Sequence, residues 1–207
     1  MQRTPYRIVL TGGPCAGKTT ALSHIAEQLR SSGYAVFLVP EAATLLLAGG
    51  CRFIDRTPDQ QLHFQEHLLS LALSMEDAFA AIARNVGQPA VLLCDRGAMD
   101  GSAYLEPEQW QILLNRGGWN VADLRDGRYD AVIHLVSAAH GAESFYTTEN
   151  NAARKENLEQ ARNLEQRLRD AWFGHPRLIV IDNSTDFDGK VRRAMQAVFQ
   201  VVGIPGS

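Results

Sequence analysis

Four stretches of this 207-residue chain carry residue types suited to phosphate chemistry. In "LTGGPCAGKTT" (10–20), Gly12, Gly17, Lys18 and Thr19 satisfy the spacing G-x-x-x-x-G-K-[ST]. Such a turn wraps backbone N–H groups around phosphate oxygens when it follows a strand and opens a helix. Here an apolar run precedes it and a helical pattern follows. Gly12, Gly13, Pro14, Cys15, Ala16, Gly17, Lys18, Thr19 and Thr20 are therefore the expected phosphate-binding residues. Lys18 would reach the β- and γ-phosphates, and Thr19 would offer its hydroxyl to Mg²⁺. Cys15 reads either as a small filler of the turn or as a redox target.

The other three stretches are acidic or basic. Ligands of open α/β sheets gather beyond the carboxyl ends of the strands, so acids that close apolar runs matter. Asp95 ends "AVLLCD" and can hold Mg²⁺ opposite Thr19 or cap the next turn. Arg96 follows it and can offset charge on a transferring phosphoryl group or form a structural ion pair. Glu41, in "VFLVPEAAT", can accept the proton of an incoming hydroxyl or complement a helix dipole. "NAARKENLEQARNLEQRLRDAW" carries Arg154, Lys155, Arg162, Arg167 and Arg169, interleaved with Glu156, Glu159 and Glu165, so much of it reads as a solvated face. Arg154 and Arg162 stand one turn either side of Leu158 and are the candidates to reach phosphates from above, with Lys155 as the fallback. Asn183, in "IDNSTDF", borders the nucleotide base or belongs to a simple turn. His63 and His67 are four apart but lack the H-E-x-x-H spelling, so zinc is not expected.

These residues need a scaffold, and its elements are readable. "RIVLTG" (7–12), "AVFLVP" (35–40), "AVLLCD" (90–95), "DAVIHLV" (130–136) and "RLIVID" (177–182) are dense in Val, Ile and Leu without strict alternation. Strands covered on both faces read this way. Helical patterns separate them at 18–31 (Ile25, Leu29), 59–86 (Leu62, Leu69, Leu73, Phe79, Ile82), 152–173 (Leu158, Ala161, Leu164, Leu168, Trp172) and 188–202 (Val191, Met195, Val198, Val202). Alternating strands and helices predict an α/β fold with a mainly parallel sheet. "LAGGCRF" (47–53) breaks a short helix, "LEPEQW" (105–110) starts another and "NRGGWN" (115–120) is a turn. One domain is expected over 1–207, with the polar region about 138–160 as a helical lid.

Bulk properties narrow the classes. Hydrophobic residues are 45% and charged residues 21%, as in soluble globular proteins, and a net charge of -3 gives no general pull toward nucleic acid or anionic membrane. Cys15, Cys51 and Cys94 form no C-x-x-C pair or disulfide framework, which fits reduced thiols and a cytoplasmic setting. No signal peptide or apolar run of membrane-spanning length is present.

Taken together, "LTGGPCAGKTT", "VFLVPEAAT", "LLCDRG", "YDAVIHLVSAAHGAESFY", "ARKENLEQA" and "GHPRLIVIDNSTDF" resemble the kinase-like P-loop NTPase module called an AAA-type ATPase domain. The same module begins the TRPL translocation defect protein 14 family. More distantly the layout is similar to the ribosylnicotinamide kinase domain of NadR-type proteins and to deoxynucleoside kinases. The resemblance runs over nearly the whole chain. It implies a three-layer fold with a five-stranded parallel sheet in the order 2-3-1-4-5 and the Asp95 strand beside the phosphate-loop strand. It also implies Glu41 as base and Arg154 as a lid residue. The translocation defect proteins continue into a triphosphate-tunnel-like domain that is not seen before Ser207, so their preference for GTP and phosphoinositides does not carry over.

The expected activity is Mg²⁺-dependent transfer of a γ-phosphate from ATP or GTP to a small hydroxyl acceptor resembling a nucleoside or riboside. Lys18, Glu41, Asp95, Arg96 and Arg154 form the expected catalytic set. The acceptor would lie over 41–60 and under the long helix, with Phe53, Tyr104 and Trp119 as stacking surfaces or core residues. The alternative is a nucleotide-dependent switch or slow NTPase. No N-K-x-D or T-K-x-D guanine reader is present, and the D-x-x-G spelling "DFDG" (186–189) lies too late for a switch. A remodelling ATPase is disfavoured because no small helical domain follows the core. No nucleic-acid partner is expected; a homodimer is left open.

Overall fold

Continuous apolar runs form strands here because both of their faces meet helices. The computed structural model describes residues 4–52, 56–141 and 158–205. Strands β1 (Tyr6–Thr11), β2 (Ala35–Val39), β3 (Ala90–Asp95), β4 (Ala131–Leu135) and β5 (Leu178–Ile181) form one sheet in the order β2-β3-β1-β4-β5. Every neighbouring pair is parallel. The fold expectation holds, including the position of the Asp95 strand beside β1.

Alternate strand residues feed two cores. Ile8 and Leu10, Val91 and Leu93, and Ile133 and Leu135 face helices α1 (Lys18–Ser31) and α6 (Phe187–Val202). Val9, Leu92, Cys94 and Val132 face the other way, toward α3 (Pro58–Ala83), α4 (Pro107–Gly117) and Trp172, just beyond α5 (Leu158–Ala171). Trp172 is fully buried there. A short α2 (Ala42–Ala48) follows β2 and stops at Gly49.

Some boundaries differ from expectation. The long helix begins at Pro58, where a Thr57–Gln60 capping box closes its first turn, and ends at Ala83 rather than 86. Ile82, read as part of its apolar face, is 58% exposed, because the packed face of the last turn is made by Ala80 and Ala83, both buried. The 152–173 pattern is helical over Leu158–Ala171; residues 152–157 lie outside the described residues. So does most of the expected lid, of which 138–141 form a turn. A 3-10 segment (Ala98–Tyr104) and a π-type turn (Ala122–Gly127) were not anticipated, being too short to show a period. Among the described residues no helix is long and apolar enough to cross a membrane.

Candidate active site

The strand register sets the site. Leu10 lies opposite Asp95 and Thr11 opposite His134, so the ends of β1, β3 and β4 open at one level. The glycine-rich loop leaves β1 there. Gly12 has φ 136, and a Cβ on it would stand 2.0 Å from the Leu135 carbonyl oxygen, so no larger residue lets β1 and β4 end this close together. Cys15 also takes a positive φ of 54. Gly17 (φ 86) opens α1, and the half-exposed Phe187 ring lies directly over it. The Lys18 ammonium donates to the carbonyls of Gly12 (3.0 Å) and Gly13 (3.1 Å), arching back over the loop. Thr19 and Thr20 are exposed at the first turn of α1.

The loop is braced from behind by a pair that sequence reasoning missed. Gly13 N–H donates to Glu165 Oε2 at 2.6 Å, and Glu165 Oε1 lies 2.6 Å from His134 Nε2. His134 is fully buried in β4 and Glu165 is 4% exposed on α5. The reading of Glu165 as part of a solvated face is thus overturned, because a buried imidazole and a buried amide both take its carboxylate. Burial pushes its pKa up, but the His134 bond and charge and the Gly13 N–H outweigh this and leave it below the usual value. The available signal was His134 itself, the one polar side chain inside "AVIHLV" and one that needs a partner. Ser137 Oγ donates to the Pro14 carbonyl and fixes the loop from the same side.

Glu41, Asp95 and Arg96 meet where β2 and β3 end. Glu41 sits at the cap of α2; its Oε1 accepts from Arg96 Nε at 2.7 Å and its Oε2 from Thr44 Oγ1 at 2.9 Å. Burial raises the Glu41 pKa; the Arg96 charge, the Thr44 hydroxyl and the Lys18 charge together bring it below the usual 4.5. Arg96 holds a left-handed backbone (φ 70) in which its N–H donates to the Leu10 carbonyl at 3.0 Å. Its Nη1 lies 3.6 Å from Asp100 Oδ1. Burial disfavours the guanidinium charge, but Tyr104, Asp100, Glu41 and Asp95 overcome this and raise its pKa.

The acids at and after the end of β3 are held unequally. Asp100, also unforeseen, accepts from Gly97 N–H at 2.7 Å and from the Thr11 hydroxyl, and so caps the turn after β3. Asp95 does not cap that turn. Its Oδ1 is buried without a hydrogen-bond partner. Burial pushes the Asp95 pKa up, and the Glu41 and Asp100 charges add to this against the pull of Lys18 and Arg96. An orphaned buried carboxylate oxygen facing a glycine-rich loop has the chemistry of a cation ligand.

A cavity of about 1030 Å³ opens beside this cluster, lined among others by Glu41, Asp95, Arg96, Gln65, Leu69 and Tyr104. Tyr104 thus stands where a stacking surface was expected. Trp119 packs into the core below α3, and Phe53 lies outside the described residues. Arg154 and Lys155 also lie outside them. Arg162 turns its Nε to the Ala139 carbonyl at 2.8 Å, anchoring α5 to the turn after β4. The Asn183 amide donates to the carbonyls of Ser137 (2.8 Å) and His140 (2.7 Å) and accepts from Lys190 at 2.8 Å, so its side chain holds that same turn. His63 and His67 touch each other at 3.2 Å, and no cluster of three metal-ligating side chains occurs among the described residues.

Sheet order, loop and strand-end acids define a P-loop NTPase-type domain of kinase layout. A model of the AAA domain family matches residues 7–190, and the chain belongs to that family. It is similar to the thymidylate kinase of Shouchella clausii (strain KSM-K16), with 33% identity over 97 residues, covering 43% of each chain. Its fold is similar to that of NadR protein, whose crystal structure is a complex with NAD and AMP-PNP. The TM-score is 0.64 at 15% identity, covering 99% of this chain and 51% of NadR. The chain therefore spans about half, or less, of each of these relatives.

Proposed function

We propose that this domain is a Mg²⁺-dependent kinase that moves the γ-phosphate of ATP to a hydroxyl of a small, nucleoside- or riboside-like acceptor. The observation that carries it is the Glu41–Arg96 pair on the wall of the large cavity, within reach of the Lys18 charge. A carboxylate kept ionised beside the phosphate loop suits a hydroxyl acceptor, whose proton must leave as the new bond forms. A phosphate acceptor is already anionic and needs no such base. The AMP-PNP in the NadR complex supports ATP as donor, and the likeness to thymidylate kinase supports an acceptor with a nucleoside framework.

In this reading the backbone of 12–19 cradles the phosphates, and Lys18 leaves its loop carbonyls to bind the β- and γ-oxygens. Mg²⁺ fits the donor set: Asp95 offers an unpaired buried oxygen and Thr19 an exposed hydroxyl, and the ion characteristically takes one or two protein oxygens plus phosphate and water. It would neutralise charge between the phosphates. The acceptor oxygen attacks the γ-phosphorus in line, the bond to the bridging oxygen breaks, the nucleoside diphosphate leaves, and the hydroxyl proton passes to Glu41 Oε1 or Oε2. Arg96 holds Glu41 in place and adds positive charge near the transferring group. Arg154 and Arg162 are assigned the lid side of the phosphates, and the backbone beside Asn183 the base.

The test incubates the protein with ATP or GTP, Mg²⁺ and a panel of nucleosides, ribosides and phosphoinositides. A phosphorylated riboside whose formation falls by roughly 10²–10⁴ in Glu41→Gln is the expected result. Phosphate release that no acceptor changes and Glu41→Gln leaves intact would identify a nucleotide hydrolase instead.

A further inference from the structure

Lys190 carries a buried charge that phosphotransfer does not use. It stands in the first turn of α6 and is 5% exposed. Its ammonium donates to the Val136 carbonyl and, at 2.8 Å, to Asn183 Oδ1. Neither partner carries a charge, and a buried ammonium held only by neutral partners is costly to a fold. Here it closes a chain of bonds that runs from α6 to the phosphate loop. Asn183 passes its own amide hydrogens to the Ser137 and His140 carbonyls. Within the same turn, Ser137 Oγ donates to the Pro14 carbonyl and Ala138 N–H to the Cys15 carbonyl at 3.4 Å. Arg162 ties Ala139 to α5. The turn 136–140 therefore lies between the phosphate loop and the residues around Asn183, and Lys190 fastens it to α6.

We propose that Lys190 is a positioning residue for the nucleotide: as an ammonium it holds the turn 136–140 against the phosphate loop, and nucleotide binding draws a proton onto it. This rests on nucleotide binding by the phosphate loop, and on neither the acceptor nor phosphotransfer. Burial pushes the Lys190 pKa down to about 8; Arg193 on the same helix adds to this, while Glu165 on α5 and Asp182 after β5 oppose it. A neutral amine keeps hydrogens to donate, but its bonds to Val136 and Asn183 are then roughly half as strong. A polyphosphate seated on the loop, next to Glu165, adds negative charge of the sign that already favours the ammonium. The two pH effects have opposite signs. The empty fold disfavours the Lys190 charge, so this group lowers its stability below about pH 8, and the deficit shrinks as pH rises from about 8 toward 10.5. Nucleotide affinity instead falls as pH rises through about 8, because the ammonium that fastens the turn is lost.

The experiment measures binding of ADP with Mg²⁺ by titration calorimetry between about pH 7 and 9.5, in two buffers of different ionisation enthalpy. ADP serves because it has no γ-phosphate to transfer. Affinity is expected to fall about three- to tenfold over that range, with uptake of part of a proton on binding near about pH 8.5. In Lys190→Met the pH profile should flatten, the proton uptake should vanish and affinity at about pH 7 should drop about tenfold, whereas a merely structural lysine would leave the profile in place. Asn183→Ala keeps the lysine but breaks the chain of bonds, and should weaken binding by a similar factor, with the double variant no weaker than either single one. Additive losses would separate Lys190 from the turn and overturn its positioning role. Cys15→Ser should keep the pH profile of the parent; a flat profile there would assign the titration to the loop thiol and overturn the inference. Affinity independent of pH, with no proton uptake, in the unmodified protein overturns it even if Lys190→Met does not fold, and so does a pH profile retained in Lys190→Met. No ADP binding at all overturns the phosphate-loop assignment with it.

Discussion

Arg96 concentrates the chemistry of the site in one side chain. It joins Glu41 to Asp100 from a left-handed backbone that few non-glycine residues adopt. Arg96→Ala would take the cation from two largely buried carboxylates, leaving Glu41 only the Thr44 hydroxyl, and denaturant titration should show a loss of about 2–3 kcal/mol. The pair also sets a pH signature. Glu41 has a folded-state pKa below 4.5, so the stability it contributes with Arg96 is present above about pH 4.5 and fades as pH falls below that value. The acid limb of a Glu41-dependent rate should accordingly lie below pH 4.5, and a limb near pH 6 would show that the base is another group. Asp95 behaves in the opposite sense. Its raised pKa marks an acid whose charge the metal-free fold disfavours, chiefly through burial. Asp95→Asn should raise metal-free stability and weaken Mg²⁺-dependent nucleotide binding at least about tenfold, read by denaturation and titration side by side.

Among the elements, α5 is the one whose role the sequence concealed. Its charge interleaving resembles a solvent face, and helical spacing alone places Leu164 inward where the buried side chain is Glu165. Only the strand it packs on reveals why: the buried His134 needs a hydrogen-bond partner, and the phosphate loop needs an acceptor for Gly13 N–H. Glu165→Leu should leave both unpaired and lower stability by about 2–4 kcal/mol, with nucleotide affinity down about tenfold. Glu165→Gln, which keeps an acceptor for Gly13, should recover most of that affinity. If Glu165→Leu bound AMP-PNP as tightly as the parent, the brace would be separate from the loop's function. By contrast, α1, α6 and all five strands were legible, since each combines an apolar period with a glycine, proline or acid at its end.

At the scale of the molecule, legibility followed sequence distance. The fold class and the strand-end acids appear in contiguous stretches, so Lys18, Glu41 and Asp95 could be singled out. Glu165 acts through Gly13, 152 residues away, and Asp100 ties its own turn to Thr11, 89 residues away, and a carboxylate in a helix gives no sign of its burial. One whole-chain measurement bears on the phosphate-loop assignment. A ligand that binds only the folded state at a hundred times its Kd stabilises by about 2.7 kcal/mol. For a domain of this size that corresponds to a melting-temperature rise of roughly 5–10 °C with AMP-PNP and Mg²⁺. Lys18→Ala should abolish the rise, and an undiminished shift would remove the loop from nucleotide binding.

The bond from Gly13 to Glu165 spans 152 residues. A ribosome adding about 5–20 residues per second needs roughly 8–30 s to deliver the glutamate after the glycine. During that interval β1, β2 and β3 can pair, but the loop lacks its rear support. Nucleotide in the surrounding solution therefore meets a loop that holds it about tenfold more weakly until α5 has emerged and docked, so it favours the late steps of folding over the early ones.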